Sequence, residues 1–316
     1  METKYLPFEN EVKRIDEEIS ELIKYGKQKG INYSEDIEKK KSEKIVLLKD
    51  IYSNLSAWET VQVARHPQRP IFGDYLGYIV RDFREMHGDR TYGDDRALIG
   101  GMGRIGREKF MIIGQDKGRS MKEKVACNFG CPDPEGYRKA YRLMSFAEKY
   151  GLPILTLIDT PGAHPGIGAE ERGQAQAIAE NLKLMSRLKT PIISIVIGEG
   201  GSGGALGIGV ADRLAMMKNS YYSVISPEGC AAILWKDSSK KEEAAEALKL
   251  TSKDNYRLGT IDSVIEEPFW GAHRNPREAI WNVGQYIGRT IRDLKKINLD
   301  NLVEQRYEKL MSIGRD

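Results

Sequence analysis

The sequence predicts an α/β protein, with a largely parallel sheet inside a shell of helices and further helical segments at both ends. Three observations predict it. Two predominantly apolar runs, at 153–159 and 191–197, have the length and β-branched content of buried strands. Between 97 and 266, strand-like runs alternate with stretches whose apolar residues recur every three or four positions. Glycine-rich segments follow both buried strands, at the end of a parallel sheet where α/β proteins place their ligands.

Each element has its own signal. Val12, Ile15, Ile19 and Leu22 share one helical face, and Gly26, Gly30 and Asn32 end that helix. Ser34 is expected to cap a second helix, with Glu35 and Asp36 in its first turn and Ile45, Leu48, Ile51, Tyr52 and Leu55 as its stripe. The pair forms an arm over residues 1–60. Residues 61–96, with Pro67 and Pro70, are expected to be a connector. Strands follow at 97–105 and 109–115, joined by a turn at Gly106. Asp133-Pro134-Glu135 starts a helix, with Asp133 as its cap and Pro134 in its first turn, that runs to about Tyr150 and stops at Gly151. Ile178, Leu182, Met185 and Leu188 mark the helix between the two buried strands. Short strands are expected at 214–217, 222–225 and 263–266, and helices at 227–235, 240–250 and from Asn275 to the end.

Composition narrows the function classes. The chain has 316 residues, enough for one large domain or two small ones, with 40% hydrophobic residues and a mean hydropathy of −0.49. It can bury a sizeable core. Its 49 basic residues nearly balance 46 acidic ones, a formal charge of +3, so neither nucleic acid nor a membrane surface is an expected partner. No apolar run reaches the length of a membrane-spanning helix, and the first residues carry no apolar leader. Three cysteines suit a reducing, cytoplasmic setting better than a disulfide framework.

The chemistry lies in the glycines. Seven of the twelve residues from 198 to 209 are glycine, directly after a strand and before an expected helix. Glycine weakens a helix by about 1 kcal/mol each, so stability alone does not explain that density. Such a turn exposes backbone N–H groups to an anion or a developing oxyanion. Gly198-x-Gly200-x-x-Gly203 matches a dinucleotide fingerprint, but no acid ends the next strand. Gly200-x-Ser202-x-Gly204 matches a nucleophile elbow, but only His273 lies downstream. A P-loop would require Gly-Lys-Ser/Thr, which is absent. The Asp159-Thr160-Pro161-Gly162 turn lacks the companion motifs of a GTPase. It remains a rigid loop that can face the glycine turn across one pocket. Lys117, Arg119, Lys122 and Lys124 form a basic loop that suits either an anion or solvent. Cys127 and Cys131 lack a second pair for zinc, and the four histidines show no ligand spacing.

Several separated segments resemble one family. They are 198–209 (GEGGSGGALGIG), 158–166 (IDTPGAHPG), 170–174 (EERGQ), 223–229 (SVISPEG) and 64–70 (ARHPQRP). Residues 128–130, 134–138 and 271–275 and the helical amino terminus agree. Together they resemble the α subunits of bacterial acetyl-CoA carboxylase carboxyltransferase. That resemblance implies a crotonase-like (ClpP/crotonase) superhelix of ββα units over 61–270, with the arm at 1–60 and a helical segment at 271–316. It implies an α2β2 heterotetramer, a zinc ribbon on the β subunit, and no metal in this chain. The implied reaction moves a carboxyl group from carboxybiotin, on a biotin carboxyl carrier protein, to acetyl-CoA. The product is malonyl-CoA for fatty-acid synthesis, and the partner biotin carboxylase consumes the ATP.

The resemblance implies backbone N–H donors at Gly203 and Gly204, with Ala205 as a third candidate, for the oxyanion on the biotin ureido group. Gly162, Ala163, Gly200 and Gly201 are implied to line the biotin pocket. His164 stands where relatives commonly have Tyr. Val at Gly203 or Gly204 is expected to abolish transfer without undoing assembly. Two other readings make different demands. A stand-alone acyl-CoA hydratase or isomerase needs Glu170, Glu171 or Glu199 as its acid/base. A non-catalytic scaffold has no use for the glycines.

Overall fold

The structure is a computed structural model that describes residues 4–315. Residues 1–3 of the expected arm and leaderless start, and residue 316 of the terminal segment, lie outside them. Helix α1 (Asn10–Lys29) buries Val12, Ile15 and Ile19, and ends on Gly30 at φ 67°, a left-handed position that glycine takes without strain. Helix α2 (Ser34–Ser53) packs back on α1 through Leu48 and Tyr52. Ser34 lies inside α2 rather than capping it, because its N–H and hydroxyl both donate to Asn32 Oδ1.

The expected connector is structured. Helix α3 (Ala57–Ala64) opens on a Ser56/Glu59 capping box. Helix α4 (Phe72–Ile79) buries Phe72 and Tyr75, and strand β1 (Arg81–Glu85) forms one edge of the sheet. Eight-residue helices span barely two turns, too few for a period to show between prolines.

Strands β2 (Leu98–Ile105) and β3 (Glu108–Gln115) form a hairpin, and β1 adds antiparallel to β2. Helices α5 (Met121–Ala126) and α6 (Pro134–Lys149) lead to β4 (Ile154–Thr160). Asp133 sits at the α6 N-cap, but its carboxylate does not cap; it accepts from Asn128 and meets His164 instead. Helices α7 (Ile167–Glu171) and α8 (Gln174–Met185) lead to β5 (Ile192–Gly201), and α9 (Ser202–Leu206) follows at once. Strands β6 (Arg213–Met217) and β7 (Tyr221–Ser223), helices α10 (Pro227–Trp235), α11 (Lys241–Leu248) and α12 (Ser252–Arg257), and strand β8 (Ser263–Ile265) complete the core. Helices α13 (Pro276–Leu294) and α14 (Leu299–Ser312) close the chain.

The sheet order is β1-β2-β3-β4-β5-β6-β8, parallel from β3 onward. Strand β5 is buried along its whole length. Its first half pairs with β6 and its last three residues pair with β7. Alternation of side chains gives the sheet two apolar faces. Ile154, Ile158, Ile192 and Val196 pack under α6 and α8, while Leu155, Leu157, Ile193 and Ile195 pack under α13. Because β4 and β5 are parallel neighbours, paired from Ile154↔Ile192 to Thr160↔Gly200, the segments leaving their carboxyl ends emerge side by side.

Candidate active site

Absence of side chains brings the two segments together. An added Cβ on Gly201 would collide with the Pro161 carbonyl oxygen. One on Gly204 would lie 2.5 Å from Ala163 N and from Gly162 C. Gly200 backs onto the Tyr222 ring, 2.7 Å from such an atom. The Gly162 turn is held by Thr160, whose hydroxyl donates to the Gly162 carbonyl at 2.8 Å and accepts its N–H at 3.1 Å. On the other side the glycines are open. A Cβ at Gly203 would meet only Ile178 Cδ1, at 3.7 Å, and one at Gly162 would meet nothing within 4 Å. Gly203 and Gly204 are therefore not equivalent: the first tolerates a small side chain, and the second collides with backbone.

Helix α9 begins at Ser202, which has φ 50°, a strained value for a serine. Gly203 and Gly204 are its second and third residues, whose N–H groups have no acceptor within a helix. The carbonyl side is anchored. The Gly204 carbonyl accepts from Gln115 Nε2 at 2.8 Å and from the Tyr137 hydroxyl at 3.1 Å, and the Gly207 carbonyl accepts from Asn181 Nδ2 at 2.9 Å. Gln115 also accepts the Asp159 N–H at 3.1 Å, so one side chain joins both segments.

Beneath the turn lies a network of buried charges. Lys117 Nζ is 2.6 Å from both Asp159 Oδ1 and Glu199 Oε1. Glu199 Oε2 accepts from Arg65 Nε at 2.7 Å and from the Tyr221 hydroxyl at 2.6 Å. Asp159 Oδ1 also accepts the Glu199 N–H at 2.8 Å, and Arg65 reaches Glu228 at 2.6 Å. Burial disfavours the Glu199 charge, yet Lys117 and Arg65 outweigh it and hold the carboxyl down to about 2. Burial also disfavours the Lys117 charge, and the two carboxylates outweigh it and raise the pKa of the ammonium.

The network corrects the basic-loop reading. Lys117 points inward to carboxylates of its own chain, and Arg119 pairs with Asp74. It also removes Glu199 from the hydratase candidates, since an ion-paired carboxylate with so low a pKa neither gives nor takes a proton near neutrality. Glu170 and Glu171 are exposed. Arg65 is 134 residues from Glu199 and Lys117 is 82, a separation that leaves no pattern in one dimension. The available signal was residue type: a Lys, an Asp and a Glu each at or just past a strand end.

His164 ties its loop to α6: its N–H donates to the Pro132 carbonyl at 3.0 Å, and Nδ1 lies 2.8 Å from Asp133 Oδ1. His66 and His273 stack in the interior with ring centroids 4.0 Å apart, as packing residues. His87 meets Glu85 and Asp94 in an exposed trio whose Asp94 already pairs with Lys139. The three cysteines are unpaired. No helix of the described residues is long and apolar enough to cross a membrane.

Solved structures place the architecture in a class. The transcarboxylase 12S core superposes with a TM-score of 0.53 at 21% identity, over 66% of this chain and 40% of that one. The β subunit of geranyl-CoA carboxylase from P. aeruginosa gives 0.55 at 16% identity, over 74% of this chain and 44% of that one. This chain thus spans about two fifths of either, and the shared fold is the crotonase-like fold of carboxyltransferases. Residues 5–314 match the family described as acetyl co-enzyme A carboxylase carboxyltransferase-like. Acetyl-coenzyme A carboxylase carboxyl transferase subunit alpha of Marinomonas sp. (strain MWYL1) is 51% identical over 99% of this chain and 100% of its own length. The corresponding subunit of Fusobacterium nucleatum is 52% identical over 98% of this chain and 99% of its own. The chain belongs to the family of acetyl-CoA carboxylase carboxyltransferase α subunits.

Proposed function

We propose that this chain is the biotin-side half of a split carboxyltransferase that makes malonyl-CoA for fatty-acid synthesis. One observation carries the reading. Gly204 rests on Gly162 and Ala163, backbone on backbone, which leaves the amide end of α9 facing the open space over Gly203 and Gly162. A flat ureido ring fits such a cradle, because no Cβ projects into it. When bound, carboxybiotin on its carrier protein supplies the carboxyl group. The Gly203 and Gly204 N–H groups then face the oxygen on which negative charge develops. Ala205 is the weaker donor, since the fourth residue of a helix has the N-cap carbonyl as its acceptor. Gly162 and Ala163 form the facing wall, while Gly200 and Gly201 act behind it, letting the strand end pack against Tyr222 and Pro161.

The reaction asks for no side-chain acid/base, because its proton is taken by the substrates themselves. The acetyl-CoA half, with its own oxyanion donors and zinc ribbon, is assigned to a β subunit in an α2β2 assembly. The biotin carboxyl carrier protein and biotin carboxylase are the upstream partners, and ATP is used there. A cytoplasmic setting is supported by the unpaired cysteines.

The test is malonyl-CoA decarboxylation coupled to a free biotin derivative, with this chain alone and with a β subunit added. Activity in the mixture only is expected. Gly203→Val keeps its N–H but fills the opening beside it with a branched side chain, and should abolish transfer while the subunits still co-purify. Activity of the chain alone, or near-normal rates in Gly203→Val, would sink the assignment.

A further inference from the structure

We propose that a cavity between the 87–94 loop, α6 and α8 binds a small phosphate-bearing ligand. The cavity encloses about 620 Å³, within the range of small-molecule sites. Four arginines line it, and two of them are neutralised: Arg138 by Asp89 at 2.7 Å and Arg172 by Glu135 at 3.0 Å. The other two are not. Arg90 donates only to the His87 carbonyl, at 3.0 Å. Arg142 donates to the carbonyls of Gly88 and His87, at 3.2 and 3.1 Å, and more distantly to that of Met86. Neither is ion-paired with a carboxylate among the described residues. Burial and then the charge of Arg90 make the Arg142 charge less favourable, Asp94 and Asp89 offset them only in part, and an anion between the two arginines would relieve the remaining repulsion.

The loop that presents Arg90 is built for the purpose. Asp89 Oδ1 accepts the N–H groups of Thr91, Tyr92 and Gly93 at 2.9, 2.8 and 3.0 Å. Those bonds hold Arg90 at φ 70°, a left-handed conformation that an arginine does not adopt on its own account. At the inner wall stands Asn181, fully buried. Its Nδ2 donates to the Gly207 carbonyl, which fixes the amide orientation and leaves Oδ1 with no donor. The arginine pair therefore selects a phosphate. Asn181 also anchors the carbonyl side of α9, so an occupant would press on the glycine turn without entering it.

Calorimetric titration of the full chain tests this with two probes, AMP and 4′-phosphopantetheine, beside their uncharged counterparts adenosine and pantetheine. At least one phosphorylated probe is expected to bind, and its counterpart at least tenfold more weakly. Arg90→Asn, which suits the left-handed backbone, should weaken binding at least tenfold with an unchanged melting temperature. Glu180→Gln removes an acid of the same cavity that has no ion-pair partner among the described residues, and should tighten binding two- to fivefold, an effect a merely structural role would not produce. Binding of AMP alone points to a nucleotide, and of phosphopantetheine alone to a carrier arm; both support the site. No binding by either, equal binding of the uncharged forms, or indifference to Arg90→Asn overturns it.

Discussion

Lys117→Met perturbs the charge network under the glycine turn in a way that can be worked through. The lysine meets two carboxylates, each at 2.6 Å, so its removal does not leave them equally exposed. Glu199 keeps Arg65 and the Tyr221 hydroxyl. Asp159 Oδ1 keeps only the Glu199 N–H. Breaking a buried pair so that one charge is stranded costs about 3–5 kcal/mol. Against a total of about 5–15 kcal/mol the variant should fold, though weakly. Burial already pushes the Asp159 carboxyl upward, with Lys117 the main opposing influence. A carboxyl whose folded pKa exceeds its unfolded value holds its proton more tightly when folded. The deficit is therefore small below the ordinary carboxylate range and grows as pH rises toward the raised value. Urea unfolding should show a larger loss at pH 8 than at pH 5.5. Adding Asp159→Asn removes the stranded charge while keeping an acceptor for the Glu199 N–H, and should recover at least half the loss. A loss under about 1 kcal/mol at pH 8, against the 3–5 expected of a stranded charge, or no recovery in the double variant, would refute the reasoning.

Three further changes test other parts of the molecule. Gly204→Ala forces a Cβ to 2.5 Å from the backbone of Gly162 and Ala163; it should destabilise the chain by about 1–3 kcal/mol in urea unfolding, whereas Gly203→Ala should be nearly silent. Arg306 is fully buried, holds both oxygens of Asp212 at 2.8 and 3.0 Å, and caps the carbonyls of Met185, Leu188 and Thr190; Arg306→Met should cost about 3–5 kcal/mol and expose α14 to limited proteolysis. His273 is held down to about 2, first by burial and then by the facing His66, Arg274 and Arg69. Its folded pKa is depressed, so its contribution is present above the unfolded value of about 6.5 and is lost below it, at about 1.4 kcal/mol per pH unit. His273→Gln should flatten the stability profile between pH 7 and 5, and parallel profiles would contradict that.

The sequence by itself determined the elements whose signal is local. Strand and helix periods between 97 and 266 rest on neighbouring side chains, so β2 to β6, α6 and α8 lie where the pattern puts them. The two glycine segments were legible because glycine density is a property of the chain. Helices α3, α4 and α12 and strand β1 were not, since elements of five to eight residues owe their stability to burial against distant partners rather than to their own period. Capping by Ser34 and Asp133 failed for a different reason: Asn32, two residues away, takes the Ser34 hydroxyl, and Asn128 and His164 take the Asp133 carboxylate. The tertiary structure alone decided that Lys117 is an internal counter-ion, that Glu199 is a structural charge, and that Gly204 is a contact while Gly203 is an opening. Each of these depends on pairing β4 with β5. That register brings residues 40 apart, Asp159 and Glu199, into one hydrogen bond.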